Sequence, residues 1–140
     1  MTQVVARIRL AGMSVDLLQY TDNIRECVEH AQFFDEHSRR IERDAATQDV
    51  VDLIDGVGGH NKMMFVGNGG SASIASHFAV DFAKVGGVRA VCFSDSGLLT
   101  CLSNDYSYEQ VFEKSIELYA DPGDLLIAIS SSGKSPNILN

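Results

Sequence analysis

The chain has 140 residues and a formal net charge of −8, with 19 acidic residues against 11 basic ones. This length allows one domain with its own core, and no basic run interleaves with aromatic residues, which argues against direct nucleic-acid binding. No apolar stretch reaches the roughly 18 residues that cross a bilayer, so we expect no membrane association. The three cysteines form no CxxC pair, which favours reduced thiols and a cytoplasmic location.

Helices are predicted for most of the first sixty residues. Residues 1–13 are expected to form a flexible extension. Apolar residues then recur at helical spacing from Val15 to Ile41, between charged and polar positions, which predicts an amphipathic helix. A second helix is predicted from about Ala45 to Val57, and the pair Gly58-Gly59 ends it.

Three short apolar runs follow, each bounded by Gly, Pro, Asp or Ser: Met63–Val66, Val88–Phe93 and Leu125–Ile129. Each run is too short for a helix and is interpreted as a buried strand. Helical patterns lie between them, at Ile74–Phe82 and Tyr108–Tyr119. This alternation predicts βαβ units and a mostly parallel sheet. The predicted fold class is therefore three-layer α/β, with helices flanking the sheet and a helical pair before it.

Local signals mark the ends of these later elements. The spacing Ser107–Gln110 predicts a capping box, and Asp121–Asp124 predicts a turn into the third strand. After that strand, Ser135 is placed to cap a helix and Pro136 suits its first position. The sequence stops within about one turn of this start, too little for a stable helix. We therefore expect residues 14–140 to be one domain that is truncated at its C-terminal end.

Two loops of similar design lie at the carboxyl ends of predicted strands, Gly67–Ser71 and Ser130–Ser135. Open α/β sheets bind ligands at this edge. Glycines allow close backbone approach, helix-start amides favour an anion, and serine hydroxyls add neutral donors. The two loops together therefore predict a phosphate site. The alternative is that the glycines only turn the chain and the serines only cap helices. Ser71 and Ser135 are predicted to cap helices under either interpretation, and this does not exclude phosphate binding.

Neither loop is a Walker A motif, and no GxGxxG occurs, which argues against a dinucleotide site. His77 and Asp81 stand four residues apart on one face of the helix after the first loop. Such a pair could bind a metal or move a proton. The alternative, which spacing alone favours, is a surface pair worth about 0.2–0.5 kcal/mol. Asn104-Asp105 is interpreted as a polar turn.

The segments GNGGSASIASHFAVDFAK, LLTCLSNDYSYEQVF and GDLLIAISSSGKSPN, in this order, resemble the sugar-isomerase (SIS) domain family. Within it they are most similar to the phosphoheptose isomerases, which convert sedoheptulose 7-phosphate to glycero-manno-heptose 7-phosphate. The similarity runs from about Asp16 to the last residue. It implies an SIS, flavodoxin-like fold, a sugar-phosphate ligand, and a homotetramer packed through the N-terminal helices.

The resemblance also implies roles for individual residues. His77 and Asp81 would be zinc ligands and catalytic residues, and Asp81 falls where the family has a glutamate acid/base. The aspartate is one methylene shorter than that glutamate, and the family's remaining glutamine and histidine lie beyond residue 140. Substrate would be bound by Asn68, Gly69, Gly70, Ser71, Asn104 and Asp105, and its phosphate by Ser130, Ser131, Ser132 and Ser135.

Two functions stay open. The leading hypothesis is ketose–aldose isomerisation of a seven-carbon sugar phosphate for surface heptose biosynthesis, with a carboxylate that moves the proton. The alternative is a non-catalytic sugar-phosphate-binding module or a tetrameric adaptor protein. Asp81 in place of glutamate and the missing C-terminal half favour this alternative.

Overall fold

The computed structural model describes residues 8–10 and 13–140, and it describes side chains from Asp16 onward. Most of the flexible extension expected over residues 1–13 falls outside these residues, so that expectation stays a prediction. The part that is described forms β1 (Ile8–Leu10), which pairs antiparallel with β2 (Met13–Val15).

The first of two compact units reaches to Asp49, and its main element is α1 (Leu17–Glu29). Asp16 begins this helix because its carboxylate accepts a hydrogen bond from the N–H two residues on, at 2.9 Å. At the other end, the Arg43 guanidinium donates to two carbonyl oxygens of the last turns, at 2.7 and 2.9 Å. These bonds satisfy acceptors that the end of a helix leaves open.

The first helix was predicted to run to Ile41, but α1 ends at Glu29, so the prediction is wrong for the second half of that range. The chain instead forms a hairpin of β3 (Phe33–Phe34) and β4 (Arg40–Ile41). Asp35 explains the turn, since its carboxylate accepts hydrogen bonds from two following backbone N–H groups at 2.9 and 2.8 Å. Such local bonds compete with helix formation. The next helix, α2 (Arg43–Asp55), lies close to the predicted second helix.

The second unit, Val50–Asn140, contains a three-stranded parallel sheet in the order β6-β5-β7. Its strands are β5 (Met63–Gly67), β6 (Ala90–Cys92) and β7 (Leu125–Ile129). β7 matches its predicted run, and β5 extends one residue beyond its run. β6 covers only the middle of the predicted run Val88–Phe93. The central strand β5 pairs with β7 along its whole length, from Met63 opposite Leu125 to Gly67 opposite Ile129. The predicted parallel sheet is therefore confirmed.

Helices alternate with these strands. The first is α3 (Gly70–Lys84), which contains the predicted Ile74–Phe82 pattern. After β6 comes α4 (Ser96–Asp105), a helix that was not predicted from the sequence. It begins because the Asp95 carboxylate accepts a hydrogen bond from a backbone N–H of the first turn, at 2.9 Å.

The predicted helix at Tyr108–Tyr119 is present as a 3₁₀ turn, Tyr108–Gln110, followed by α5 (Val111–Tyr119). The capping box is wrong, because the Ser107 side chain makes no capping hydrogen bond. The Gln110 side chain donates forward to Glu113 Oε2 at 3.4 Å instead of accepting from the Ser107 backbone N–H. The last element is α6 (Pro136–Leu139), which begins at the predicted proline. Ser135 lies at the predicted N-cap position, but its side chain makes no capping hydrogen bond.

The central strand β5 is buried along its whole length, and its alternate residues face different helices. Met64 and Val66 pack in one apolar cluster with residues of α4 and α5. Met63 and Phe65 pack in a second cluster with residues of α3. Helices therefore cover both faces of the sheet, which confirms the three-layer α/β class. None of the helices in the described part of the chain combines the length and apolar composition that a bilayer crossing requires.

Lys62, Asp121 and Asp124, which we call the Lys62 cluster, form a group of charges with a buried central pair that joins the amino ends of β5 and β7. Lys62 Nζ lies 2.5 Å from Asp124 Oδ2 and 2.9 Å from Asp121 Oδ2. The side chains of Lys62 and Asp124 are 9% and 2% exposed. Burial alone would raise the pKa of the Asp124 carboxyl, but hydrogen bonds from the Lys62 ammonium and from backbone N–H groups outweigh it and hold that pKa well below its ordinary value.

We predict that Asp124→Asn destabilises the protein near neutral pH, because Lys62 would lose its buried counter-charge. The expected fall in Tm is roughly 10 °C, measured by differential scanning calorimetry. Asp121→Asn removes the charge of the partner that is 72% exposed, and as the matched control it should change Tm far less.

Wild type and Asp124→Asn also test how the stability that Asp124 contributes depends on pH. Because folding lowers the pKa of Asp124, its stabilisation is complete above its unfolded pKa of about 4 and is lost as the pH falls below that value. The difference in Tm between wild type and Asp124→Asn should therefore narrow on going from about pH 7 to about pH 3. A difference that stays constant over this range would contradict the assignment.

Candidate functional site

The first loop, Gly67–Ser71, connects the carboxyl end of β5 to α3. A Cβ atom on Gly67 would lie 2.8 Å from backbone atoms of Ser71, so this approach of strand and helix requires glycine. Gly69, with a φ of +55°, is the residue that precedes the helix. Ser71 therefore lies inside the first turn, where its N–H donates to the Asn68 carbonyl at 3.0 Å. Its predicted capping role is wrong.

The second loop, Ser130–Ser135, follows β7 and is held by its own serines. Ser130 Oγ accepts a hydrogen bond from the Gly133 N–H at 3.1 Å, and Ser132 Oγ accepts one from the Lys134 N–H at 3.2 Å. Since both hydroxyl oxygens accept from the backbone, their protons remain available to donate to a ligand. The Lys134 side chain is exposed and brings a positive charge to the loop.

Three side chains, Asn68, Tyr108 and Asn137, join the two loops, and we call them the amide junction. Asn68 Nδ2 donates to Asn137 Oδ1 at 2.9 Å, and Asn137 Nδ2 donates back to Asn68 Oδ1 at 3.0 Å. The Tyr108 hydroxyl donates to the same Asn68 Oδ1 at 2.9 Å. The first loop, the 3₁₀ turn and the start of α6 therefore meet at the carboxyl edge of the sheet.

Asn68 was predicted from the sequence as a site residue, whereas Tyr108 and Asn137 were not. Tyr108 was counted only as part of an apolar helical pattern. Asn137 carried a usable signal, because it is an amide directly after the proline that starts a helix and at the end of a serine-rich loop. A polar side chain that is 4% exposed, as Asn137 is, needs a hydrogen-bonding partner nearby.

His77 and Asp81 form the predicted pair on α3. His77 Nε2 lies 3.3 Å from Asp81 Oδ2, and the two side chains are 74% and 50% exposed. This separation matches the edge of a tetrahedron around zinc with bonds of about 2.0–2.1 Å, so the pair fits two corners of a zinc site. Among the described residues, no group of three His, Cys, Asp or Glu side chains is placed to hold a metal.

A cleft of about 530 Å³ runs beside α3. Its lining residues are Ala72, Ser73, Ser76, His77, Val80 and Ser94. At a rise of about 1.5 Å per residue, His77 lies about 10 Å and Asp81 about 16 Å along the helix axis from Gly70. The lining residues show that the cleft extends along α3 from its first turn past His77 to Val80, and its volume suits a small ligand.

Asn104 and Asp105 lie in the last turn of α4, so their interpretation as a turn is wrong. Asn104 Nδ2 donates to Asp105 Oδ1 at 2.9 Å, and the Cys101 thiol lies 3.6 Å from Asp105 Oδ2. The Asp105 carboxylate raises the pKa of this thiol, which keeps it protonated at neutral pH. These contacts are internal to α4, and the role of both residues in substrate binding stays a prediction.

Comparisons with known proteins agree on one family. Residues 19–140 match the family model of the SIS domain. The phosphoheptose isomerase of Nitratidesulfovibrio vulgaris is 37% identical over 134 residues, covering 85% of this chain and 62% of that protein. The phosphoheptose isomerase of Maridesulfovibrio salexigens is 35% identical over 133 residues, covering 84% of this chain and 62% of that protein.

A solved structure agrees with these relatives. The phosphoheptose isomerase of Neisseria gonorrhoeae superimposes with a TM-score of 0.68 at 29% identity, covering 88% of this chain and 62% of that one. The chain thus spans a little less than two thirds of the length of each of these three proteins.

We predict that Gly67→Ala destabilises the protein, because the new methyl group would push the first turn of α3 away from β5. The expected cost is about 1–3 kcal/mol in the free energy of unfolding, measured by urea denaturation. The control is Gly70→Ala, since a Cβ there meets no atom within 4 Å among the described residues. That variant should be as stable as wild type or slightly more stable.

Proposed function

The chain belongs to the SIS domain family, and we propose that its protein acts as a phosphoheptose isomerase that converts sedoheptulose 7-phosphate to glycero-manno-heptose 7-phosphate for surface heptose biosynthesis. The observation that carries the proposal is the meeting of two serine- and glycine-containing loops at one edge of a parallel sheet, through the amide junction. Identities of 37% and 35% to two phosphoheptose isomerases support it.

In this proposal the loops hold the phosphate group of the sugar. The hydroxyl protons of Ser130 and Ser132 are available as donors, and Ser131 and Ser135 extend the same loop. The 15-residue helix α3 begins in the first loop, so its free N–H groups and its dipole favour an anion there. Lys134 adds one charge that complements the phosphate.

Asp81 is the proposed base. Its carboxylate would take a proton from C1 of the ketose while the carbonyl oxygen on C2 gains a proton, which gives an enediol. Return of a proton to C2 and loss of the proton from the C1 hydroxyl then give the aldose. His77, at 3.3 Å from the carboxylate, would orient Asp81 or share its proton.

We include zinc as a cofactor, with His77 and Asp81 as two of its ligands. Imidazole nitrogen and carboxylate oxygen are ordinary zinc ligands. When bound, the metal would polarise a sugar oxygen as a Lewis acid. The remaining ligands would come from residues outside the described chain, as the family resemblance implies.

A homotetramer in the cytoplasm, where phosphorylated sugars occur, completes the proposal. All residues of α1 are at least partly exposed, and Tyr20, Ile24 and Val28 are 55%, 49% and 59% exposed. Together with Phe33 they line an apolar cleft of about 560 Å³ in the first unit. Contiguous exposed apolar surface of this kind is typical of a subunit interface, and the resemblance assigns the interface to these helices.

We predict that Asp81→Asn abolishes isomerisation, because an amide cannot take the proton from C1. The assay incubates the product of the complete gene with sedoheptulose 7-phosphate and zinc and follows aldose formation by NMR. Turnover should fall by at least about a hundredfold, while binding of the sugar phosphate, measured by calorimetry, persists. Asp55→Asn, an exposed change at the end of α2, is the control. Unchanged turnover in Asp81→Asn would remove Asp81 from the mechanism.

The alternative function, a sugar-phosphate-binding module or a tetrameric adaptor, is favoured by the short side chain at position 81. Catalytic geometry penalises displacements of about 1 Å by roughly a hundredfold, and aspartate places its carboxylate about that much closer to the helix than glutamate. Wild type that binds the sugar phosphate without converting it, together with Asp81→Glu that gains turnover, would establish this alternative over the enzyme.

We predict that Ile24→Glu dissociates the tetramer, because the charge would be buried in the proposed α1 interface. Multi-angle light scattering should report a mass near four chains for wild type and a smaller assembly for the variant. Gln19→Glu adds the same charge to the polar face of α1, beside Asp22 and Glu26, and should leave the mass unchanged. A wild-type monomer at micromolar concentration would contradict the homotetramer.

A further inference from the structure

The hydrogen bonds of the amide junction leave Asn68 with one free group. An asparagine side chain has two N–H donors and one oxygen that accepts up to two bonds. The Asn68 oxygen already accepts from Asn137 Nδ2 at 3.0 Å and from the Tyr108 hydroxyl at 2.9 Å. One N–H is also used, since it donates to Asn137 Oδ1 at 2.9 Å. What remains is a single N–H of a half-buried side chain.

The partners of Asn68 are themselves held in place. Asn137 is 4% exposed, so its reciprocal bonds with Asn68 are shielded from water and costly to break. The Asn140 side chain donates to the Glu109 carbonyl at 2.9 Å, which ties α6 to the 3₁₀ turn that carries Tyr108. The Asn68 amide is therefore fixed from two sides.

We propose that Tyr108 and Asn137 are positioning residues that fix the Asn68 amide with its oxygen occupied and one N–H free. Asn68 then presents a donor and not an acceptor to the site, so it selects an oxygen of the ligand that can accept a hydrogen bond. The identity of that ligand as a sugar phosphate rests on the proposed function, whereas the geometry of the amide rests only on the hydrogen bonds of the amide junction.

The test is Tyr108→Phe, which removes only the hydroxyl. The ring of Tyr108 is 55% exposed, so we expect the Tm to stay within about 2 °C of wild type. Without the third bond the amide is held by Asn137 alone and is less restricted in orientation, and we expect KM for sedoheptulose 7-phosphate to rise roughly 2- to 10-fold with kcat nearly unchanged. The matched control is Tyr106→Phe, two residues away and 57% exposed, which should leave both constants as in wild type.

A second measurement reads the amide directly. In protein labelled with ¹⁵N-asparagine, Tyr108→Phe should shift the side-chain amide signals of Asn68, and Tyr106→Phe should not. Asn137→Ala should shift them further and raise KM more, with Tm recorded in parallel because Asn137 is buried. Unmoved Asn68 signals in Tyr108→Phe would overturn the proposal, and so would moved signals with an unchanged KM.

These outcomes distinguish a failure of the positioning role of Tyr108 and Asn137 from a failure of the proposed isomerase function. Wild type that converts sedoheptulose 7-phosphate while Tyr108→Phe matches it in KM would overturn the positioning role alone. Wild type that neither converts nor binds this sugar would overturn the proposed function, and the Asn68 signals would then decide on the positioning of the amide.

Discussion

The parallel pairing of β5 with β7 over five residues is the interaction on which the site depends. Both strands end in a polar loop, and neighbouring strands lie only about 4.8 Å apart. The loops are thus adjacent although 69 positions separate Asn68 from Asn137. Without this pairing each loop would be an ordinary glycine- and serine-containing turn.

The chemistry of the loops is informative because the chain is acidic. At a net charge of −8, the protein repels an anion at long range. Hydroxyl and amide donors act at short range, and they can hold a phosphate without a cluster of arginines. In the proposed phosphate site the second loop supplies one lysine, Lys134, so binding would depend mainly on the number and placement of hydrogen bonds.

The sheet could be predicted from the sequence because its signals are local. Each strand is a short apolar run between turn residues, and β5, the central strand, is buried along its whole length. The second half of the first predicted helix failed because a single carboxylate, Asp35, stabilises a hairpin against a sequence with helical periodicity. The α4 helix was missed although Leu98, Leu99 and Leu102 are spaced for it, since Asn104-Asp105 was interpreted as a turn.

The site was predictable in its residue types but not in its contacts. Helical spacing was enough to predict that the His77 and Asp81 side chains lie on one face of α3. Their role in a metal site or in catalysis came only from the family resemblance. The amide junction depends on strand order, which no local pattern encodes. Gly67 was predicted as part of a loop whose glycines allow close backbone approach, and the structure shows that the close neighbour is the backbone of Ser71, 2.8 Å from where a Cβ would lie.

The Lys62 cluster lies at the opposite edge of the sheet from the loops, and it has a consequence for strand alignment. A slip of β7 by one residue along β5 would move Ser130 by about 3.3 Å and would exchange the two faces of the strand. The same slip would separate Asp124 from Lys62 and leave a buried ammonium without its counter-ion. An error in alignment is therefore penalised at the amino end of the sheet, opposite the two loops, and the buried ion pair helps to fix the position of one loop relative to the other.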